Sequence, residues 1–380
     1  MNLERPFFTK DHELFRSSFR EFVKKEVIPQ QEEWQKAGVV TRDIWKRCGD
    51  LGFLCPQAPE EYGGLGTDFL YEVIISEELA YAAESGLMLS LHNSLVAPYI
   101  YDYATEELKK HLIPKIISGD VILAVAMTEP DAGSDLASMK STAEDRGDHF
   151  IVNGAKTFIS NGLLSDAVVV AARMNPEEKH SMGLFVIERG WEGFERGRKL
   201  LKMGMHSQDT TELSFNNVKV PKSHVLGHPA KGFQYLMEKL AIERLSLAIS
   251  SVAIAEQAVK ETIKYVKERK AFGKTISQFQ NTQFKIAEMQ TETQVGRAYV
   301  DKLIEAELNG KLTSAEACAA KYWTTDMVCR VTDEAVQLHG GYGYMMEYPI
   351  CRMFADSRVG RIYAGTNEIM KTVIAKSMGI

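Results

Sequence analysis

Residues Val125–Asp135 read VAMTEPDAGSD, and the rest of the chain divides around them. The stretch ends a short apolar run, Val121 to Ala126, and breaks it with Thr128, Glu129 and Pro130. Pro130 has no backbone donor and pushes Glu129 out of the helical region. Gly133 tolerates a positive φ or a close backbone approach. A loop of this kind exposes N–H groups and hydroxyls that suit a ring carbonyl or a phosphate. A second polar stretch, NGAKTFISNG, follows at Asn153–Gly162. Taken alone, each loop reads equally well as a hairpin turn of a β domain.

Before the first loop the chain reads as helices. Phe15, Phe19, Phe22 and Val23 form an apolar stripe at helical spacing, ended by Pro29. PQAPEEYGGLG, from Pro56 to Gly66, is a loop. Thr105 is placed to cap a helix with Glu106 and Glu107 in its first turn, and Gly119 closes that helix. After the loop, β-branched runs separated by turns predict a small β domain: Ala167 to Ala171, Leu184 to Ile187 and Val218 to Val220. KMGMHSQDTTELSF, Lys202 to Phe215, falls inside it, and its methionines read as core filler. Helical stripes return from Gly232, with Phe233, Leu236, Met237 and Leu240 on one and Val300, Leu303, Ile304 and Leu308 on another. The expected fold is α+β and mainly α. It has a helical domain over residues 1–120, a β domain over 121–228 and a helical domain over 229–380.

The 380 residues are 45% hydrophobic and 25% charged, enough for two or three domains. A net charge of −6 argues against an electrostatic nucleic-acid binder. The five cysteines show no CxxC spacing and read as reduced thiols. No apolar run approaches the ~20 residues of a membrane helix. The acidic residues Glu4, Asp11 and Glu13 make the N-terminus unlike a signal or transit peptide, so a cytoplasmic location is expected: a bacterial cytosol, or a mitochondrial matrix if a presequence has been removed.

The two loops together resemble the flavin-binding loops of acyl-CoA dehydrogenases, T-E-P-x-A-G-S-D and N-G-x-K-x-[WF]-I-[TS]-N-G. The likeness continues at R-K-x-F-G-K (Arg269 to Lys274), Q-L-H-G-G-x-G-Y (Gln337 to Tyr344) and I-Y-x-G-T-N-E-I (Ile362 to Ile369). It departs at Asp131, where the family has Gly; Asp also tolerates turn conformations. The resemblance implies a helical N-terminal domain, a central β-barrel, a C-terminal four-helix bundle and a homotetramer that shares each FAD between subunits. It assigns Val125, Ala126, Met127, Thr128, Gly133, Ser134, Phe158, Ile159 and Ser160 to the flavin ring and ribityl side. Arg269, Phe272, Gln280, Gln337, Leu338, His339, Gly340 and Gly341 would reach the pyrophosphate and adenosine of a neighbouring subunit's FAD. Thr366, Asn367 and Glu368 would lie near the FAD as well. Without the family, Arg269 reads as a surface charge-pair residue, Gly340 and Gly341 as a helix break and Glu368 as a solvated helix position. For the acyl-CoA, the resemblance points to Ser134, His180 and Ser181 near the pantetheine. Ile242, Arg244, Tyr363, Ala364 and Gly365 would lie around the thioester and base. His180 reads equally as a surface loop residue.

Dehydrogenating an acyl thioester needs a base for the α proton, a hydride acceptor at the β carbon and donors to the thioester oxygen. Short- and medium-chain members of the family carry the base in a Y-E-G-T motif. This chain has Tyr363-Ala364-Gly365-Thr366 there, and alanine accepts no proton. Long-chain and isovaleryl members carry it in an E-R-L sequence, matched by Glu243-Arg244-Leu245. From helical pattern alone, Glu243 reads instead as a surface partner of Lys239.

The resemblance therefore implies an FAD-dependent conversion of a fatty acyl-CoA to trans-2-enoyl-CoA. Glu243 would be the base and an electron-transferring flavoprotein the electron acceptor. The blocks SLHNSLVAPYI and YAGTNEIMK look most like the long-chain type. Isovaleryl, branched-chain or short-chain enzymes, a flavin oxidase on the same fold, and a non-catalytic flavin- and CoA-binding relative are the alternatives.

Overall fold

The computed structural model describes residues 4–174 and 181–380. The N-terminal part is helical: α1 (Lys10–Phe22), α2 (Gln31–Ala37), α3 (Arg42–Asp50), α4 (Leu70–Tyr81), α5 (Ala97–Tyr103) and α6 (Glu106–Ser118). In α1 the predicted stripe buries Phe19 and Phe22 among Trp34, Trp45 and Phe53. Helical backbone continues past Phe22 through a π turn, Val23–Val27, and tightens into a 3-10 turn around Pro29. Thr105 caps α6, accepting from the Leu108 amide at 3.3 Å, and Gly119 ends it in the left-handed region at φ +75°. A second π turn, Leu91–Val96, leads into α5. Such turns recur at functional sites.

The middle part is one curled sheet of β1 (Leu123–Ala126), β2 (Thr142–Asp145), β3 (His149–Ser160), β4 (Ala167–Arg173), β5 (Met182–Glu188), β6 (Phe194–Lys199) and β7 (Thr210–Pro221). β4 runs parallel to β1 and antiparallel to β5. Its AVVVAA run is buried throughout, which is why it reads as continuously apolar rather than alternating. The sheet goes on through β2, β3, β7 and β6 and closes over Phe150, Val152, Phe185 and Phe215. Among the described strands no pairing joins β6 to β5, so the barrel expected from sequence takes the form of an open, curled sheet.

The C-terminal part comprises α7 (Gly232–Glu268), a hairpin of β8 (Lys270–Ala271) and β9 (Lys274–Thr275), α8 (Gln280–Leu308), α9 (Ser314–His339), α10 (Pro349–Ser357) and α11 (Asn367–Ser377). α7, α8 and α9 share a core of Val252, Ala255, Leu303, Ile304, Met327 and Val331, and α11 packs on α9. The N-terminal helices dock on this bundle through α4. The buried Glu77 on α4 receives Arg5, Arg16 and Arg297. Burial opposes its ionisation, yet these cations, Arg297 foremost, hold the carboxyl at about 2.

One expectation fails here. The methionines of Lys202–Phe215 are not core filler, since Met203 is 72% exposed. The segment before β7 lies on α10 instead: the Met205 amide bonds Asp356, and a Cβ on Gly204 would meet the Ala355 backbone at 2.5 Å. A close approach at Gly204 displaces the loop from the sheet core. No described helix is long and apolar enough to cross a membrane.

Candidate active site

β1 leads straight into the Thr128–Pro130 break, and the loop beyond it is stapled to β3 by a buried ion pair. Glu129 accepts from Lys156 Nζ at 2.8 Å and from the amides of Lys140 and Ser141. Lys156, 1% exposed, also donates to the Met127 carbonyl at 3.0 Å. Burial works against both charges; the Lys156 charge and the added donors still hold the Glu129 carboxyl below its usual range. Next to the staple the Thr157 amide donates to the Thr128 carbonyl at 2.9 Å. The β3–β7 register then shifts between Lys156 and Ile159, and Phe158 stands out of the strand at φ +60°, 68% exposed. A bulge re-aims a side chain in this way, and a positive φ at a non-glycine residue persists only where its surroundings enforce it.

Opposite the loops, α7 presents Glu243. These elements enclose a cavity of about 150 Å³. Met88, Ser90, Leu91, Ser94 and Leu95 wall it on the N-terminal side, Val125, Met127, Thr128 and Phe158 to Ser160 on the sheet side. Glu243, Ser246, Leu247 and Ser250 on α7, with Tyr363 and Ala364, complete it. Glu243 is half-buried; its Oε2 is sealed from solvent and has no hydrogen-bond partner among the described residues. Burial pushes its pKa up to about 7, opposed by the charges of Arg244 and Lys321. Lys239 bonds Asp102 on α5, so it is not the partner of Glu243 that helical spacing suggests. Arg244 is buried, and its Nη1 donates to Ser314 Oγ at 3.4 Å and Cys318 Sγ at 3.3 Å. Ala364 sits at φ +54°, and its N–H has no backbone partner among the described residues.

A second cavity of about 450 Å³ opens at the far end of α7, lined by Arg269, Gln337, Leu338, His339, Gly340 and Gly341 with Tyr265 and Tyr342. The His339 ring is buried and stacked on Tyr265 at 4.3 Å, and burial lowers its pKa. Arg269 lies over the Tyr342 ring and has no ion pair among the described residues. A Cβ on Gly340 or Gly341 would meet nothing within 4 Å. The two cavities share no lining residue.

The chain matches "Acyl-CoA dehydrogenase, N-terminal domain" over residues 9–120, the middle domain over 124–218 and the C-terminal domain over 230–379. The chain belongs to the acyl-CoA dehydrogenase family. It is 47% identical to the mitochondrial long-chain specific acyl-CoA dehydrogenase of Sus scrofa, over 98% of this chain and 88% of that protein. It superposes on an acyl-CoA dehydrogenase from Geobacillus kaustophilus with TM-score 0.97, at 49% identity over 99% of this chain and 100% of that one. A further solved chain, 37% identical with TM-score 0.93 over 100% and 99% of the two chains, belongs to a structure described as "Electron transferring flavoprotein of Acidaminococcus fermentans: Towards a mechanism of flavin-based electron bifurcation". Acyl-CoA dehydrogenases are FAD-dependent oxidoreductases acting on the CH–CH bond of an acyl-CoA, and the cofactor of this chain is FAD. The residues fit that group: open space faces Gly133, Gly340 and Gly341, and an exposed aromatic ring stands at the mouth of the first cavity.

The structure gathers Val125, Met127, Thr128, Phe158, Ile159, Ser160, Glu243, Tyr363 and Ala364 into the first cavity. Ala126 turns its side chain into the sheet core, leaving only its backbone toward the loop. Gly133 and Ser134 are exposed, outside the cavity, and Ser181 is buried away from it. His180 lies outside the described residues. Ile242 packs on the bundle core, not on the cavity. Phe272, 95% exposed at φ +51°, and Gln280 stand outside both cavities on the β8–β9 arm and at the start of α8. Thr366 caps α11, accepting from Ile369 N–H; Glu368 is exposed; Asn367 is buried against α9. Sequence reasoning passed over the Glu129–Lys156 staple, Lys321 behind the Gly365 turn, and Ser246 and Ser250 one and two turns beyond Glu243.

The raised pKa has a stability consequence. Below the ordinary value of 4.5, Glu243 is protonated in both folded and unfolded states and burial carries no penalty. From there to about 7 the unfolded chain ionises first, so stability falls as pH rises, and the penalty is complete above about 7. Glu243→Gln removes it. Its holoenzyme should melt higher than wild type at pH 8, by at most about 3 kcal/mol, with the difference closing near pH 4. Paired thermal scans at the two pH values check this; an equal difference at both would rule out a buried, titrating Glu243.

Proposed function

We propose that this enzyme converts a long-chain fatty acyl-CoA to the trans-2-enoyl-CoA in β-oxidation, with Glu243 as base and an electron-transferring flavoprotein as acceptor. The observation that carries the reading is Glu243 itself: a carboxyl with no hydrogen-bond partner among the described residues and a pKa of about 7, in a cavity that also holds Thr128, Phe158 and Ala364. A base poised near working pH combines ionisation with driving force. The Glu243 carboxylate takes the α proton. Ala364 N–H, with no backbone partner, is free to donate to the thioester oxygen as charge builds there. Met88, Leu91, Leu95 and Leu247 exclude water from the acyl chain. Bound FAD supplies the hydride acceptor for the β carbon.

Long-chain preference rests on the likeness to the long-chain specific relative. The enclosed volume is smaller than the ~300–1,000 Å³ of ordinary ligand pockets, so a long chain requires the cavity to widen. Rates over straight and branched acyl-CoAs of graded length test this; a maximum at short or branched chains would overturn it. The carrier as acceptor is supported by the likeness to a chain of the structure described under that name. Reoxidation of the reduced enzyme by the carrier, and not by air, is the expected outcome.

Two cavities without a common residue support an FAD shared between subunits of a homotetramer. Arg269, without an ion pair among the described residues and beside two open glycines, is then a phosphate contact. Arg269→Ala should weaken FAD binding by about tenfold or more, the loss of one charged hydrogen bond. Flavin fluorescence titration of the apoprotein reads it, and an unchanged affinity would remove Arg269 from the site.

A further inference from the structure

Lys321 lies on α9 beneath the Tyr363–Asn367 turn and is fully buried. Its Nζ donates to the Gly365 carbonyl at 2.7 Å and to Asn367 Oδ1 at 3.0 Å. Neither partner carries a charge. Burial and the nearby Arg244 push its pKa down to about 8, opposed by Glu243 and Asp326. A buried ammonium held by neutral acceptors is a costly way to fill space, and an apolar chain of the same length would fill it without desolvating a charge.

What the ammonium holds is the turn. Asn367 is plugged into α9: its Nδ2 donates to the Tyr322 carbonyl at 3.2 Å, Thr325 Oγ1 at 3.0 Å and Asp326 Oδ1 at 3.1 Å. Lys321 bridges from that plug to the Gly365 carbonyl. Between them and the cavity, Ala364 is at φ +54° and Gly365 at φ +90°. A left-handed alanine persists only where other contacts over-determine it. The same conformation sets the direction of the Ala364 N–H.

We infer that Lys321 is a positioning residue: by gripping the Gly365 carbonyl and Asn367 it holds the strained turn so that the Ala364 N–H meets the thioester oxygen. The inference rests on the cavity being the acyl-CoA site. It separates from a general structural role because only ligands with a thioester carbonyl feel that N–H.

The test compares two ligands on the FAD holoenzyme: a 2-enoyl-CoA, which has the carbonyl, and the S-alkyl-CoA thioether of the same length, which lacks it. Lys321→Met should weaken the enoyl-CoA by about tenfold or more and leave the thioether within about twofold. Asn367→Ala cuts the same link from the other side and should show the same split, so it carries the test if Lys321→Met fails to fold. Equal weakening of both ligands, or of neither, in a folded variant would overturn the inference. Wild-type holoenzyme that binds neither ligand would bring down the acyl-CoA reading itself, and the inference with it.

Discussion

Glu243→Gln should bind FAD and acyl-CoA as the wild type does, yet reduce its flavin about 10²–10⁴-fold more slowly, the usual contribution of a general base. The substitution keeps the shape of a side chain whose Oε2 is sealed and unpartnered, so binding has little reason to change. The proton acceptor alone is lost. Among the described residues no second acid lines the cavity: its other polar residues are Thr128, Tyr363 and serines. Single-turnover absorbance of the flavin under anaerobic conditions reads the rate. A rate within a few-fold of wild type would mean that another acid reaches the α carbon.

Lys156→Met should be the most damaging change outside the base. It leaves the Glu129 carboxylate buried with only the Lys140 and Ser141 amides as donors. Breaking a buried ion pair from one side costs roughly 3–5 kcal/mol. The loss falls on the staple that sets Thr128 beside Phe158, so FAD retention should drop together with the unfolding midpoint. Adding Glu129→Gln should recover part of the stability, because no unpaired charge remains. Full FAD content and an unchanged urea midpoint in Lys156→Met would show that the loop holds its shape without the pair.

These two sites differ in how far they can be read from residue order. The α, β, α succession follows from period: apolar stripes at helical spacing before and after, short β-branched runs between. Val125 and Met127 face the cavity while Ala126 faces the sheet core, which is ordinary strand alternation. The alternation breaks in β3. Lys156 keeps the inward parity of Phe150 and Val152, but the extra residue between Lys156 and Ile159 turns Phe158 outward, and a period of two gives no warning of a bulge. Partners distant in sequence are equally hidden. Helical spacing assigns Lys239 to Glu243, whereas folding brings Asp102 to Lys239 and leaves Glu243 without a partner among the described residues. The methionines of Lys202–Phe215 look apolar enough for a core, but the close approach of Gly204 to Ala355 carries that segment onto α10. Arg269 and Phe272 do not line the first cavity of their own chain, and their assignment to a neighbouring subunit's FAD remains part of the proposal.

The most direct measurement is anaerobic mixing of the wild-type holoenzyme with a saturated long-chain acyl-CoA, following the flavin absorbance and analysing the acyl product of one turnover. Bleaching of the flavin with one trans-2-enoyl-CoA formed per FAD is the predicted result. A flavin that stays oxidised while the acyl-CoA is demonstrably bound would contradict it.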